Sequence, residues 1–148
     1  MTNKEEELLL QDLCARLPYN VKCFVPTMDK IMTLTGKRLN YFCFHDEAWG
    51  TDYSHEYEVV LDPLNDYHNG YVIKPYLRSM SSMTEKEMSE FISIHDNVLL
   101  FGKKKSTCIL NLDSTDWLNA HHFDYRGLIE KGLAIEVDEG NNPYNKED

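Results

Sequence analysis

The segment Ser114-Thr-Asp-Trp-Leu-Asn-Ala-His-His-Phe-Asp-Tyr-Arg-Gly-Leu-Ile-Glu-Lys-Gly-Leu-Ala-Ile-Glu-Val137 holds more specific side chains than any other stretch of the chain. Trp117, His121, Tyr125, Leu128 and Ile129 recur at helical spacing, so one face of the segment is apolar. Asp124 is a good internal N-cap, and Gly127 weakens a continuous helix. The pattern predicts two short helices, the first capped by Ser114 or Thr115, meeting near Phe123-Asp124. The second ends at Gly132 in a left-handed cap. Leu133 to Val137 is then a last strand, and residues 139–148 form a frayed acidic tail.

Working outward, Val98–Phe101 and Thr107–Leu112 read as a hairpin around Gly102-Lys-Lys-Lys-Ser106, which would hold the three lysines in solvent. Before it, Thr84-Glu85-Lys86-Glu87 is a capping box opening a middle helix that fades near Asp96, with Met88, Phe91 and Ile92 as its apolar face. Lys74 to Arg78 reads as a loop leaving a strand at Tyr71–Ile73, and His55–Leu61 as another strand. Ile31–Leu34 and Arg38–Phe44 suggest a hairpin turning at Thr35-Gly36, preceded by a short strand at Val21–Val25. At the N-terminus Thr2 and Glu5 form a capping box for a helix with Leu10, Leu13, Cys14 and Leu17 on its apolar face, closed by Pro18. The expected fold is α+β: one domain over residues 1–148, a mostly antiparallel sheet carrying an N-terminal helix, a middle helix and the C-terminal two-helix junction.

A chain of 148 residues with 42% hydrophobic and 27% charged content is sufficient for one core. Its net charge of −10 is unevenly distributed. Residues 39–73 contain seven acids and no Lys or Arg, together with five Tyr, Trp49, His45, His55 and His68. Such a surface repels nucleic acid and anionic membranes, and Lys103-Lys104-Lys105 is too small to reverse this. The four Cys, at 14, 23, 43 and 108, form no C-x-x-C pair, so metal-site spacing is missing and reduced thiols in a cytoplasmic setting are expected. No cofactor is indicated. No apolar run approaches a membrane span, and the acidic start Met1-Thr-Asn-Lys-Glu-Glu-Glu7 does not resemble a signal peptide.

Three constellations invite a functional reading. His121-His122 with Asp124 resembles a metal or acid/base cluster. Adjacent residues on a helix point about 100° apart, however, so both imidazoles cannot readily face one ion. Their expected role is structural, although His121 and Asp124 could share a face. The second brings Lys74 and Arg78 to Asp124, Tyr125 and Arg126. Were the loop folded against the junction, cations would converge to suit a phosphate or carboxylate. The third is the acidic, aromatic stretch around Asp46, Glu47, Trp49, Asp52 and Tyr53, whose composition fits a protein-binding face. There is no G-x-S-x-G, G-x-G-x-x-G or P-loop, so catalysis is not indicated.

Leu8-Leu-Leu-Gln-Asp-Leu-Cys-Ala-Arg-Leu-Pro-Tyr19, Ile73-Lys-Pro-Tyr-Leu-Arg-Ser-Met-Ser-Ser-Met-Thr84 and Asp116-Trp-Leu-Asn-Ala-His-His-Phe-Asp-Tyr-Arg-Gly-Leu-Ile-Glu-Lys-Gly-Leu-Ala134 together resemble a family of short uncharacterised proteins of anaerobic gut bacteria, their phages and mobile elements. Ser79 departs from the family's pattern, which usually has Pro after the Arg; this loosens the loop without altering its charges. The resemblance implies a bacterial or phage origin and a cytoplasmic setting, and supplies no reaction. Two functions are therefore expected in competition. One is a non-enzymatic protein-binding module, acting through the acidic stretch or through the loop and junction surface, with host factors as its targets. The other is binding or hydrolysis of a phosphate-bearing molecule between Lys74–Arg78 and His121–Arg126.

Overall fold

The computed structural model describes residues 2–26, 29–38, 41–46, 56–60, 73–99 and 112–144. Helix α1 (Asn3–Ala15) opens on Thr2, whose Oγ1 accepts from the Glu5 N–H while Glu5 Oε2 accepts from the Thr2 N–H. Its inward face differs from the one the periodicity suggests: Leu9, Asp12, Leu13 and Arg16 are buried, and Cys14 is exposed. A buried acid–base pair on this face rotates it relative to a purely apolar count. Burying Leu9 and Leu13 contributes about 1.5–3 kcal/mol each. A 3-10 turn at Leu17–Tyr19, with Pro18 inside it, brings the chain to the sheet.

Six strands follow among the described residues: β1 (Lys22–Val25), β2 (Lys30–Arg38), β3 (Tyr41–His45), β4 (Glu56–Val60), β5 (Lys74–Leu77) and β6 (Ile135–Glu136). Their order is β4-β3-β2-β1-β5-β6. Every neighbouring pair is antiparallel except β5–β6, which is parallel, so the α+β sheet is mixed. Two sequence expectations need correction here. Thr35-Gly36 is not a turn: β2 runs through both, and the register with β3 shifts between Leu34 and Gly36. A bulge, rather than a hairpin tip, accounts for a glycine inside a strand. Lys74 to Leu77, expected as a loop, is strand β5. Pro75 disguises it, but Pro75 pairs only with Cys23 and lies before the β6 ladder begins at Tyr76, so its missing N–H costs no bond on that side.

Helix α2 (Glu85–Leu99) has its capping box, with Thr84 Oγ1 accepting from the Glu87 N–H and Glu87 Oε1 from the Thr84 N–H. It continues past Asp96, so Val98 and Leu99 are helical rather than the start of a strand; the lysine turn lies outside the described residues. Met88 and Ile92 do not face the core, and are 44% and 46% exposed. Helix α3 (Leu112–Ala120) begins before the expected caps, placing Ser114 inside the helix, and buries Leu118 and Asn119.

The end of α3 and the turn after it share one device. The Phe123 N–H reaches the Leu118 carbonyl (2.9 Å) and the His122 N–H the Asn119 carbonyl (3.1 Å), with His122 left-handed at φ 64°. Ten residues on, the Leu133 N–H reaches Leu128 (3.0 Å) and the Gly132 N–H reaches Ile129 (3.1 Å), with Gly132 at φ 71°. Both are six-to-one plus five-to-two closures, each with buried apolar residues at its two ends: Leu118 and Phe123 in the first, Leu128 and Leu133 in the second. The expected second helix is therefore a single capped turn. Gly132→Ala should cost about 1–2 kcal/mol, because a Cβ in this region is strained even where space is open. Thermal unfolding would register this as a Tm lower by about 3 °C per kcal/mol.

The core gathers Leu9 and Leu13, Val21, Cys23 and Val25, Met32 and Leu34, Phe42 and Phe44, Ile73 and Leu77, and the turn residues Leu128, Leu133 and Ala134. The tail is not frayed throughout. Tyr144 donates to the Tyr76 carbonyl (2.7 Å) and accepts from the Lys22 N–H (3.0 Å), which anchors residues up to 144 across β1 and β5. No helix among the described residues is long and apolar enough to cross a membrane.

Candidate functional site

Where α3 ends, the chain meets the end of β5. Phe123 forms a parallel bridge with Arg78: the Arg78 N–H donates to the His122 carbonyl and the Asp124 N–H to the Arg78 carbonyl, both at 2.8 Å. The stretch after Lys74 thus does reach the junction, through its backbone. The Arg78 side chain leaves in another direction. Its guanidinium forms a two-pronged pair with Glu87 at the start of α2 (2.7 Å for each bond) and covers the Phe123 ring at 4.2 Å. This pairing lowers the Glu87 carboxyl to about 2, so its contribution to stability is present above the ordinary carboxylate pKa and lost as pH falls toward 2.

The other candidates also turn inward. Arg126 donates to Asp12 Oδ1 (3.0 Å) on α1. Asp12 Oδ2 accepts from Arg16 Nε (2.8 Å), and Arg16 Nη2 donates to the Phe123 carbonyl (2.6 Å). Tyr125 gives its hydroxyl hydrogen to Asn119 Oδ1, and its ring lies under Arg126 at 4.5 Å and Arg16 at 5.5 Å. Asp124 caps the following turn, its two carboxylate oxygens accepting from the Leu128 and Ile129 N–H groups at 2.9 Å. His121 places Nδ1 2.9 Å from the Trp117 carbonyl and stacks on the Trp117 ring at 4.1 Å. His121 and Asp124 therefore share no helix face, because α3 ends at Ala120, before either. Lys74, at the far end of β5 opposite Phe24, joins none of these contacts.

His122 is the unusual member. Its ring stacks on Tyr144 at 3.8 Å and 9°, and its Nδ1 is buried without a hydrogen-bond partner among the described residues. Burial, then the nearby positive charges of Arg16, His121, Arg78 and Lys22, lower its pKa to about 4. The ring is neutral at pH 7. Among the described residues no group of three or more His, Cys, Asp or Glu is placed to hold a metal.

Of the acidic stretch, Asp46 is buried and paired with Lys30 at 2.8 Å, so it presents no surface to a partner; burial at the end of β3 draws it to that lysine. Glu47, Trp49, Asp52 and Tyr53 lie outside the described residues. Sequence reasoning missed Asp12 and Arg16, which an i,i+4 acid–base spacing alone assigns to a helix surface. It also missed Lys22 and Thr33, register partners on β1 and β2, bonded Nζ to Oγ1 at 2.6 Å and both buried.

What remains open at the junction is a groove of ≈ 610 Å³ beside the bridge, lined by Ser79, Met80, Ser81, Asp124, Tyr125, Gly127, Ile129, Glu130 and Glu136. Its lining contains three carboxylates and no Lys or Arg. No family model, no curated protein and no solved structure matches the chain.

Proposed function

We propose that the chain is a non-enzymatic protein-binding module that engages its partner where the Ser79–Ser81 turn meets the Asp124–Glu130 segment. The groove carries this reading: Met80, Tyr125 and Ile129 give it apolar surface, Glu130 and Glu136 give it acidic surface, and it is large enough for several side chains. Around it, the groups that chemistry would need are committed to the fold. A phosphate-bearing ligand between Lys74–Arg78 and His121–Arg126 would require Arg78 to leave Glu87 and Arg126 to leave Asp12. The resemblance to gut bacterial and phage proteins fits a cytoplasmic module of a phage or mobile element, with a host factor as its target.

Selection from a random 12-residue peptide library against the immobilised protein tests the reading. Binders are expected whose affinity falls about fivefold or more in Met80→Ala, since the apolar surface of the contact is then lost. Met80 is 37% exposed in the free protein, so the variant should keep the parent's Tm. If no selected peptide depends on Met80, the reading fails.

A further inference from the structure

We infer that the groove receives a lysine or arginine side chain from a segment of the protein partner. This rests on the protein-binding reading and adds the chemistry of what is bound. The rim carboxylates of Glu130 and Glu136 are exposed and make no side-chain hydrogen bond or ion pair among the described residues. Asp12 and Glu87, by contrast, are held in ion pairs. The third carboxylate in the lining, Asp124, is fixed in place by two backbone donors from the following turn.

Gly127 has no side chain, and a Cβ added there would have nothing within 4 Å. Its positive φ of 78° favours the glycine that leaves this space. Met80 and Ile129 offer apolar surface for the methylene stem of a long cationic side chain, whose head would then reach the carboxylates. Tyr125 is less suited to receive the charge, because Arg126 and Arg16 already lie over its ring. Recognition therefore falls to the acids. The chain's net charge of −10 would also steer a basic segment toward it and repel an acidic one.

The test uses the Met80-dependent peptides from the library. Each should contain at least one Lys or Arg whose replacement by Gln weakens binding. Glu130→Gln and Glu136→Gln should each weaken the parent peptide about two- to fivefold, the range of partly exposed ion pairs, and leave the Gln-substituted peptide unaffected. Binding should weaken as NaCl rises from about 0.05 to about 0.3 M. Met80-dependent peptides that lack a cation, or that ignore both Gln variants, would overturn the inference while leaving the protein-binding reading intact. Failure to recover any Met80-dependent peptide would overturn both.

Discussion

Asp12→Ala is expected to lower the unfolding free energy by about 3–5 kcal/mol, the cost of leaving a buried charge without its partner. Asp12 and Arg16 are both fully buried, and Asp12 also receives Arg126. Removing the carboxylate strands the Arg16 guanidinium, whose Nη1 already lacks a partner among the described residues. It also releases Arg126, and with it one of the two links from the α1 end to the turn after α3. Asp12→Leu combined with Arg16→Met should be markedly less damaging than Asp12→Ala, since no charge is left buried, although the Phe123 carbonyl loses its donor. Urea unfolding followed by circular dichroism would compare the two. A loss below about 1 kcal/mol in Asp12→Ala would mean that the pair is not holding the junction.

That network also explains which parts of the fold were legible in the residues. Thr2 with Glu5, Thr84 with Glu87, Asp124 and Gly132 were readable because each bond joins residues within five positions, and local chemistry decides it. Strand β5 was obscured because Pro75 signals a loop, and the proline is tolerated only because it lies before the β6 ladder begins at Tyr76. Gly36 misled for a similar reason: a bulge and a turn use the same residue. His122 gave no sign of its left-handed backbone, since glycine is the usual occupant of that position. At the candidate site, the approach of Arg78 to the junction stood only as a condition in the sequence, and the direction of its side chain was not legible there. Glu87 claims it, and that carboxylate lies on a helix whose docking no local pattern encodes. Asp12, 114 residues from Arg126, claims the other guanidinium for the same reason. The groove is what remains once those pairings are made, so its acidic lining follows from tertiary structure rather than from any motif.

The chain should lose about 3 kcal/mol of stability between pH 7 and pH 4 through His122 alone. In the folded state this imidazole is held neutral down to about pH 4, while in the unfolded chain it protonates near the ordinary value of 6.5. The unfolded state therefore binds the extra proton first, and stability falls as pH drops through that interval and rises as it is restored. Arg16, His121, Arg78 and Lys22 all disfavour a positive ring there. Protonation would place a buried cation beside Tyr144, whose hydroxyl secures the tail across β1 and β5, so loosening is expected to begin at residues 138–144. His122→Asn separates the effects. Asn tolerates the left-handed backbone and carries no proton to titrate, so the variant should be less stable at pH 7, having lost the stack, yet show a flatter profile between pH 6.5 and pH 4. Urea midpoints at half-unit pH intervals would reveal the difference. Parallel profiles for the two proteins would show that His122 is not the group that titrates.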